Sequence, residues 1–237
     1  MHLFYAVGIS DAAVGTMYAL SSEESQHCVK VLRLKANDIV RLTDGAGNLY
    51  EAVLLEANHK NCIVRIQNII SQSPQRNYRV HIAIAPTKNI ARTEWFIEKA
   101  TEIGIDEITP VYSTNSERNI IKRERFDKIL ISALKQSQQT FMPLLNDAMK
   151  LNDFLDNFDA KYKLIASCEG EDKMTIKEAY KPFESVIVLI GPEGDFTLEE
   201  IGKAKQLGYK LITLGNNRLR TETAALVALQ SINFINQ

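Results

Sequence analysis

Two arginines, Arg218 and Arg220, flank Leu219 directly before an apolar, Ala-rich helix, and they close the second of two Gly-ended strand-to-helix turns. The first turn spans residues 186–197 and carries Gly191, Pro192, Glu193 and Gly194. The second spans residues 211–226 and carries Leu214, Gly215 and Asn216. Each is an apolar, β-branched run that stops at a Gly and gives way to a helix. In an open α/β sheet, ligands bind just outside the carboxyl ends of strands. Two such turns therefore propose a small-molecule pocket walled largely by backbone. Gly191 and Gly194 let the chain approach a ligand with no side chain intervening, and Pro192 stiffens the turn. Two Arg at the mouth of a buried helix are unusual if stability alone is served. The bland alternative is that they pair with Glu193 or Glu222.

The helix starts carry their own signals. Thr197 and Glu200 have the spacing of a capping box. Thr221 reads as the N-cap of the last helix, residues 222–232, with Glu222 and Thr223 in its first turn. Competing chemistry is missing: the chain has no G-x-G-x-x-G, no P-loop, no G-x-S-x-G and no H-E-x-x-H. Cys28 beside His27 makes no nucleophile pair, because adjacent residues on a helix do not face each other. His2, His27, His59 and His81 lack ligand spacing, so no metal site is expected. Cys28, Cys62 and Cys168 are odd in number and scattered, which fits a reducing cytoplasm better than a disulfide framework.

These turns need a scaffold, and the pattern of the 237 residues supplies one. A hydrophobic fraction of 45% with 24% charged residues is that of a soluble globular chain. No run approaches a membrane span, and no basic region precedes the apolar residues at the start, so neither a membrane nor a secretory signal is expected. The net charge of −1 gives no global pull toward nucleic acid. Residues 1–92, however, hold ten Lys/Arg against seven Asp/Glu, which makes this part +3 and the remainder −4.

Residues 1 to about 70 read as β-rich, with tight turns at 44–48 and 58–61, and suggest a small barrel. One helix is expected at 22–31, capped by Ser22. The polar, Pro-bearing stretch 71–75 is the best boundary, dividing the chain into domains 1–72 and 73–237. Beyond it, strands at 80–85, 108–112, 163–167, 186–190 and 211–214 alternate with helices at 91–103, 123–138 and 198–207. That alternation implies an α/β domain with a mostly parallel sheet.

At the two turns the chain resembles a known family. Residues 189–196 resemble the element IGPEGGF, and residues 214–225 resemble LG.RILRTETAA. Residues 99–104 resemble KATELG, and residues 27–35 resemble H..VLR. Together, in the right order over nearly the whole chain, they match the ribosomal RNA small subunit methyltransferase E family of the SPOUT superfamily. Two departures stand out. Asp195 replaces the second Gly of GPEGG, so a local change in the turn is expected. Residues 135–139 read Lys-Gln-Ser-Gln-Gln where the family often has EQSGR, so no RNA contact passes from its Arg to Gln139.

The resemblance implies an N-terminal PUA-like β-barrel that binds RNA and a C-terminal SPOUT domain with a trefoil knot, which general topology rules would not suggest. It implies a cytoplasmic homodimer that uses S-adenosyl-L-methionine, without a metal, to methylate N3 of a uridine in 16S rRNA of the small ribosomal subunit. Leu189, Ile190, Gly191, Pro192, Glu193, Gly194, Leu214, Gly215, Asn216, Leu219, Arg220, Thr221 and Thr223 would then hold the methyl donor. Arg220 would stabilise the uracil anion, and Glu193 or Glu222 would accept the N3 proton, with nothing in the sequence choosing between them. His27, Lys30, Arg33 and Lys35 would grip the RNA, the bland alternative being a solvated basic face. A non-catalytic RNA-binding module that kept the fold, and an enzyme using the turns for another nucleotide-bearing ligand, are the competing readings.

Overall fold

The computed structural model describes residues 2–72 and 75–237, so Ser73 and Pro74 of the expected boundary lie outside the described residues. The chain divides into two compact units. The first comprises Met1–Gln75 and Ile131–Met142, and the second Arg76–Leu130 and Pro143–Gln237.

The first unit contains β1 (Leu3–Tyr5), β2 (Met17–Ala19), α1 (Ser22–Gln26), β3 (Ile39–Thr43), β4 (Asn48–Glu56) and β5 (Ile63–Gln72). They form a five-stranded sheet in the order β1-β3-β4-β5-β2. Strand β1 runs parallel to β3, and the other neighbours are antiparallel. Register shifts between β4 and β5 mark the bulges that bend such a sheet. Phe4 of β1 shares one core with Leu42, Tyr50, Leu54 and Val64, and Tyr18 of β2 packs against it, so both ends of the strand order meet the same core.

The expected helix at 22–31 does not run through. Ser21, not Ser22, is the N-cap, accepting from the Glu24 N–H at 3.2 Å. After Gln26 the helix widens into a π-helical turn, His27–Val31, in which the Leu32 N–H reaches back to the His27 carbonyl at 3.0 Å. Cys28 sits wholly in the core, and burial pushes its thiol up to about 12, which removes it as a nucleophile.

The second unit contains β6 (Val80–Ile84), α2 (Ile90–Ile103), β7 (Glu107–Tyr112), the start of α3 (Arg123–Ser137), β8 (Leu144–Leu145), β9 (Met149–Lys150), α4 (Leu151–Asn157), β10 (Tyr162–Ala166), α5 (Ile176–Ala179), β11 (Val186–Ile190), α6 (Leu198–Gln206), β12 (Lys210–Ile212) and α7 (Thr221–Ile235). The sheet order is β12-β10-β11-β6-β7-β8, with β9 also on β7, and every pairing is parallel. Both central strands, β6 and β11, are buried along their whole length, as helices on both faces require. Phe154 of α4 and Ile201 of α6 pack with Ile187 and Leu189 on one face. On the other, α7 lies against β6, β11 and α2.

One buried polar group in this sheet has a measurable consequence. His81 of β6 lies edge-on to Phe154 and Phe158, each at 5.3 Å. Its Nε2 is 2.7 Å from Thr109 Oγ1, which also accepts from Asn146 at 2.7 Å. Its Nδ1 is 3.7 Å from Glu107 Oε2, beyond hydrogen-bond range, and that carboxylate is already engaged by Arg79 at 3.0 Å and Asn146 at 2.7 Å. Burial, helped by Arg79, lowers the His81 imidazole to about 3, so it is neutral in the fold. The unfolded chain protonates it near 6.5, its ordinary value. Between these values the unfolded state binds the extra proton, so stability falls as pH falls from 6.5 toward 3. A loss on the order of 3 kcal/mol is expected between pH 6.5 and 4 from this group. His81→Gln should be less stable at pH 7 and should flatten that decline in urea titrations. An unchanged slope would remove His81 as its source.

Candidate functional site

The three strands β12, β10 and β11 are neighbours, and their register is level at the carboxyl end. Ala166 is paired across both to Ile190 and to Ile212. The chain leaves the sheet at these three residues, and the three loops enclose a cavity of about 590 Å³. That is within the usual size of a small-molecule site.

The first turn is built by the expected devices. Thr197 and Glu200 form the reciprocal capping box of α6. The Asp195 N–H closes the turn on the Pro192 carbonyl at 2.9 Å. A Cβ on Gly191 would stand 3.2 Å from the Phe196 ring, so only Gly lets the backbone pass there without displacing that core ring. In the second turn Gly215 has φ 117°, a conformation that other residues rarely adopt.

Asp195, where the resembled family has Gly, adopts φ 60°, the left-handed region that Asp tolerates better than most side chains. Its carboxylate also does something a Gly cannot. Oδ2 accepts from the Ser167 hydroxyl at 2.9 Å and the Cys168 N–H at 2.7 Å, and Oδ1 accepts from the Phe196 N–H at 2.7 Å. The local change expected at this position is thus a tie from the first turn to the loop after β10. Lys173 donates to the Cys168 carbonyl on the same loop.

Of the residues singled out in the sequence, Ile190, Gly191, Pro192, Glu193, Leu214, Gly215, Asn216, Leu219, Arg220 and Thr221 line the cavity. Leu189, Gly194, Glu222 and Thr223 do not. Leu189 points into the core with α4 and α6. Gly194 backs onto Asn115, whose side chain donates to the Gly194 and Asp195 carbonyls at 3.1 Å. Glu222 is buried in the first turn of α7, with Arg92 Nε 3.8 Å from Oε1 and with Oε2 lacking any partner. Thr221 is helical instead of capping. Arg220 is the N-cap, and its carbonyl accepts the Ala224 N–H at 2.8 Å.

The ion pairs of the bland alternative do not form. Arg218 reaches only the Glu193 carbonyl, at 3.5 Å. The Arg220 guanidinium is exposed and has no hydrogen bond or ion pair with the described residues. Glu193 instead accepts the Lys88 N–H at 3.1 Å, in a loop that Arg118 pins by donating to the Thr87 and Lys88 carbonyls. The wall formed by Ser167, Cys168 and Lys173 was missed. The strand-end rule applied to the predicted strand at 163–167 would have found it. Among the described residues no cluster of His, Cys, Asp and Glu has the geometry of a metal site, and no helix is long and apolar enough to cross a membrane.

A parallel α/β sheet with a cavity at the carboxyl ends of its strands and a separate β unit is the architecture of an α/β protein that binds a small molecule at its strand ends. An RNA methyltransferase domain matches residues 74–233, and an RNA methyltransferase PUA domain matches residues 20–67. The chain is 31% identical over 209 residues to the ribosomal RNA small subunit methyltransferase E of Mesomycoplasma hyopneumoniae, covering 85% of this chain and 87% of that protein. A probable rRNA-methyltransferase from Porphyromonas gingivalis superposes with a TM-score of 0.90 at 38% identity, over 100% of this chain and 98% of that one. The ribosomal RNA small subunit methyltransferase E of Neisseria gonorrhoeae, solved with S-adenosyl methionine bound, superposes with a TM-score of 0.86 at 27% identity, over 100% of this chain and 98% of that one. The chain belongs to the ribosomal RNA small subunit methyltransferase E family.

Proposed function

We propose that the protein methylates N3 of a uridine in 16S rRNA, with S-adenosyl-L-methionine as methyl donor. The observation that carries this reading is the unpaired Arg220 at the rim of a cavity walled by backbone from three strand ends. The cavity fits the donor. Gly191 and Gly215 line it, and its charged side chains are of both signs, Glu193 and Asp195 with Lys173, Arg218 and Arg220, which suits a donor that carries a carboxylate as well as cationic groups. Bound there, S-adenosylmethionine supplies an electrophilic methyl group. The loops at 190–193, 214–216 and 219–221 hold and orient it, and orientation is most of what an in-line displacement needs.

Neutral uracil N3 is a poor nucleophile and must lose its proton. The Arg220 guanidinium stabilises the resulting anion and its carbonyl oxygens. Glu193 is the better placed proton acceptor. It lines the cavity, and its Lys88 hydrogen bond occupies only one carboxylate oxygen. Glu222 lies outside the lining, buried in the first turn of α7.

The first unit, with Lys30, Arg33 and Lys35 exposed on one stretch, serves as the RNA-binding PUA-like barrel. The finer features of the fold follow the same reading. On this reading the second unit carries a trefoil knot, in keeping with the return of the chain from the edge strand β12 to α7 against β6 and α2. Trp95 of α2 and Phe234 of α7 are exposed and apolar, which suits a homodimer. A cytoplasmic location belongs to the same reading, in keeping with an rRNA substrate.

The test is mass mapping of 16S rRNA after incubation with protein and S-adenosylmethionine, using RNA from cells that lack the enzyme. One N3-methyluridine is expected. RNA binding without a methyl transferred would establish the non-catalytic module instead.

A further inference from the structure

A second cavity, of about 300 Å³, lies wholly within the first unit. It brings together three distant stretches: His2 and Leu3 at β1, His27 and Leu32 around the π-helical turn, and Ser132, Lys135, Gln136 and Gln138 at the end of α3. Gln138, where the resembled family has Gly, is left-handed at φ 57°, and its amide donates to the Lys135 carbonyl at 3.0 Å.

Charge decides what such a cavity takes. Among the described residues Lys135 is the one ammonium in its lining, and both oxygens of the buried Glu24 hold it, at 2.8 and 3.1 Å. Burial and then the Lys135 ammonium lower the His27 imidazole, so it takes up a proton less readily than a free one. The lining therefore offers little net positive charge to a phosphate. Beside that ion pair it offers two amides and a hydroxyl with donors and acceptors, two flat imidazoles, and the apolar side chains of Leu3 and Leu32. That combination matches a flat, uncharged, hydrogen-bonding heterocycle. Single-stranded RNA is read through such unstacked bases, stacked on rings and bonded along their edges. The free phosphate-binding charge sits elsewhere, on the exposed Lys30, Arg33 and Lys35.

We propose that this cavity is a nucleobase pocket, which takes one unstacked base of single-stranded RNA while the neighbouring basic residues hold the backbone. The proposal rests on the reading of the protein as an RNA methyltransferase and adds a second point at which the RNA is gripped.

The chain's four His allow a local test, because His2 and His27 line this cavity and no His lines the methyl-donor cavity. The full-length protein is titrated with single-stranded RNA hexamers of each base and with an abasic hexamer of equal length, following the imidazole proton signals. At least one base-bearing hexamer should shift the His2 and His27 signals saturably, about tenfold more tightly than the abasic one. His59 and His81 serve as references. Gln136→Ala, an exposed position, should weaken that hexamer severalfold with an unchanged melting temperature. Equal shifts with the abasic hexamer would establish an anion site and overturn the proposal. So would hexamer binding, or its absence, without any movement of His2 and His27. rRNA methylation persisting alongside either result would leave the transferase reading intact and sink only the pocket.

Discussion

Replacing Arg220 by Ala should reduce methyl transfer by about 10²- to 10³-fold, the size expected for one donor facing developing negative charge. S-adenosylmethionine affinity should change by less than about threefold, because Arg220 is one residue among the twenty that line the cavity. The structure makes this a clean substitution. Arg220 is the N-cap of α7 but makes no side-chain capping bond, and it pairs with no described residue. Its removal therefore leaves no orphaned partner and should not shift the melting temperature. Arg220→Lys keeps the charge but loses the planar fork that meets a carbonyl oxygen and its neighbour together, so it should recover only part of the rate. Single-turnover methylation beside calorimetric titration with S-adenosylmethionine separates the two effects. Turnover within threefold of the parent would end the assignment. A matching loss of donor affinity would make Arg220 a binding residue instead.

The sequence showed the second unit more clearly than the first, for physical reasons. Strands such as β11 are continuous apolar runs because both faces are covered, and helices such as α6 announce themselves through Thr197 and Glu200. Strand β2 has only three residues, and β8 and β9 only two, too few for alternation to register. Helix α5 has four residues and no room for a period. The π-helical turn at His27–Val31 was read as plain helix, since local pattern does not encode a change from i−4 to i−5 bonding. That residues 131–142 belong with the first unit depends on non-local packing, which no local signal reports. In the site, the two Gly turns were read directly, since each combines a strand end with a backbone need for Gly. The third wall follows from the same strand-end rule at 163–167, but its tie to the first turn does not, because Asp195 lies 28 positions from Ser167 and only the fold brings them together.

That bond leads to the second large effect expected. Asp195→Asn should weaken S-adenosylmethionine binding by about 10- to 100-fold. Asn tolerates the left-handed backbone as well as Asp does, so the turn itself survives. The carboxylate, however, accepts from the Cys168 N–H and the Phe196 N–H through different oxygens. An amide has one oxygen, so either orientation leaves one backbone N–H facing a donor, a local cost of about 1–3 kcal/mol. The Ser167 hydroxyl also accepts from the Glu169 N–H at 3.0 Å, so releasing it frees the loop further along. A wall that must be ordered on binding lowers affinity without touching the ligand. Asp195→Gly makes the stronger test, because it restores the residue of the resembled family and relieves the left-handed backbone. If the tie holds the wall, this variant should still bind the donor at least tenfold more weakly than the parent. Donor affinity equal to the parent in Asp195→Gly would show that this loop is held in place without the carboxylate. Melting temperatures measured beside the titrations distinguish a loosened wall, which leaves them nearly unchanged, from a fold weakened as a whole.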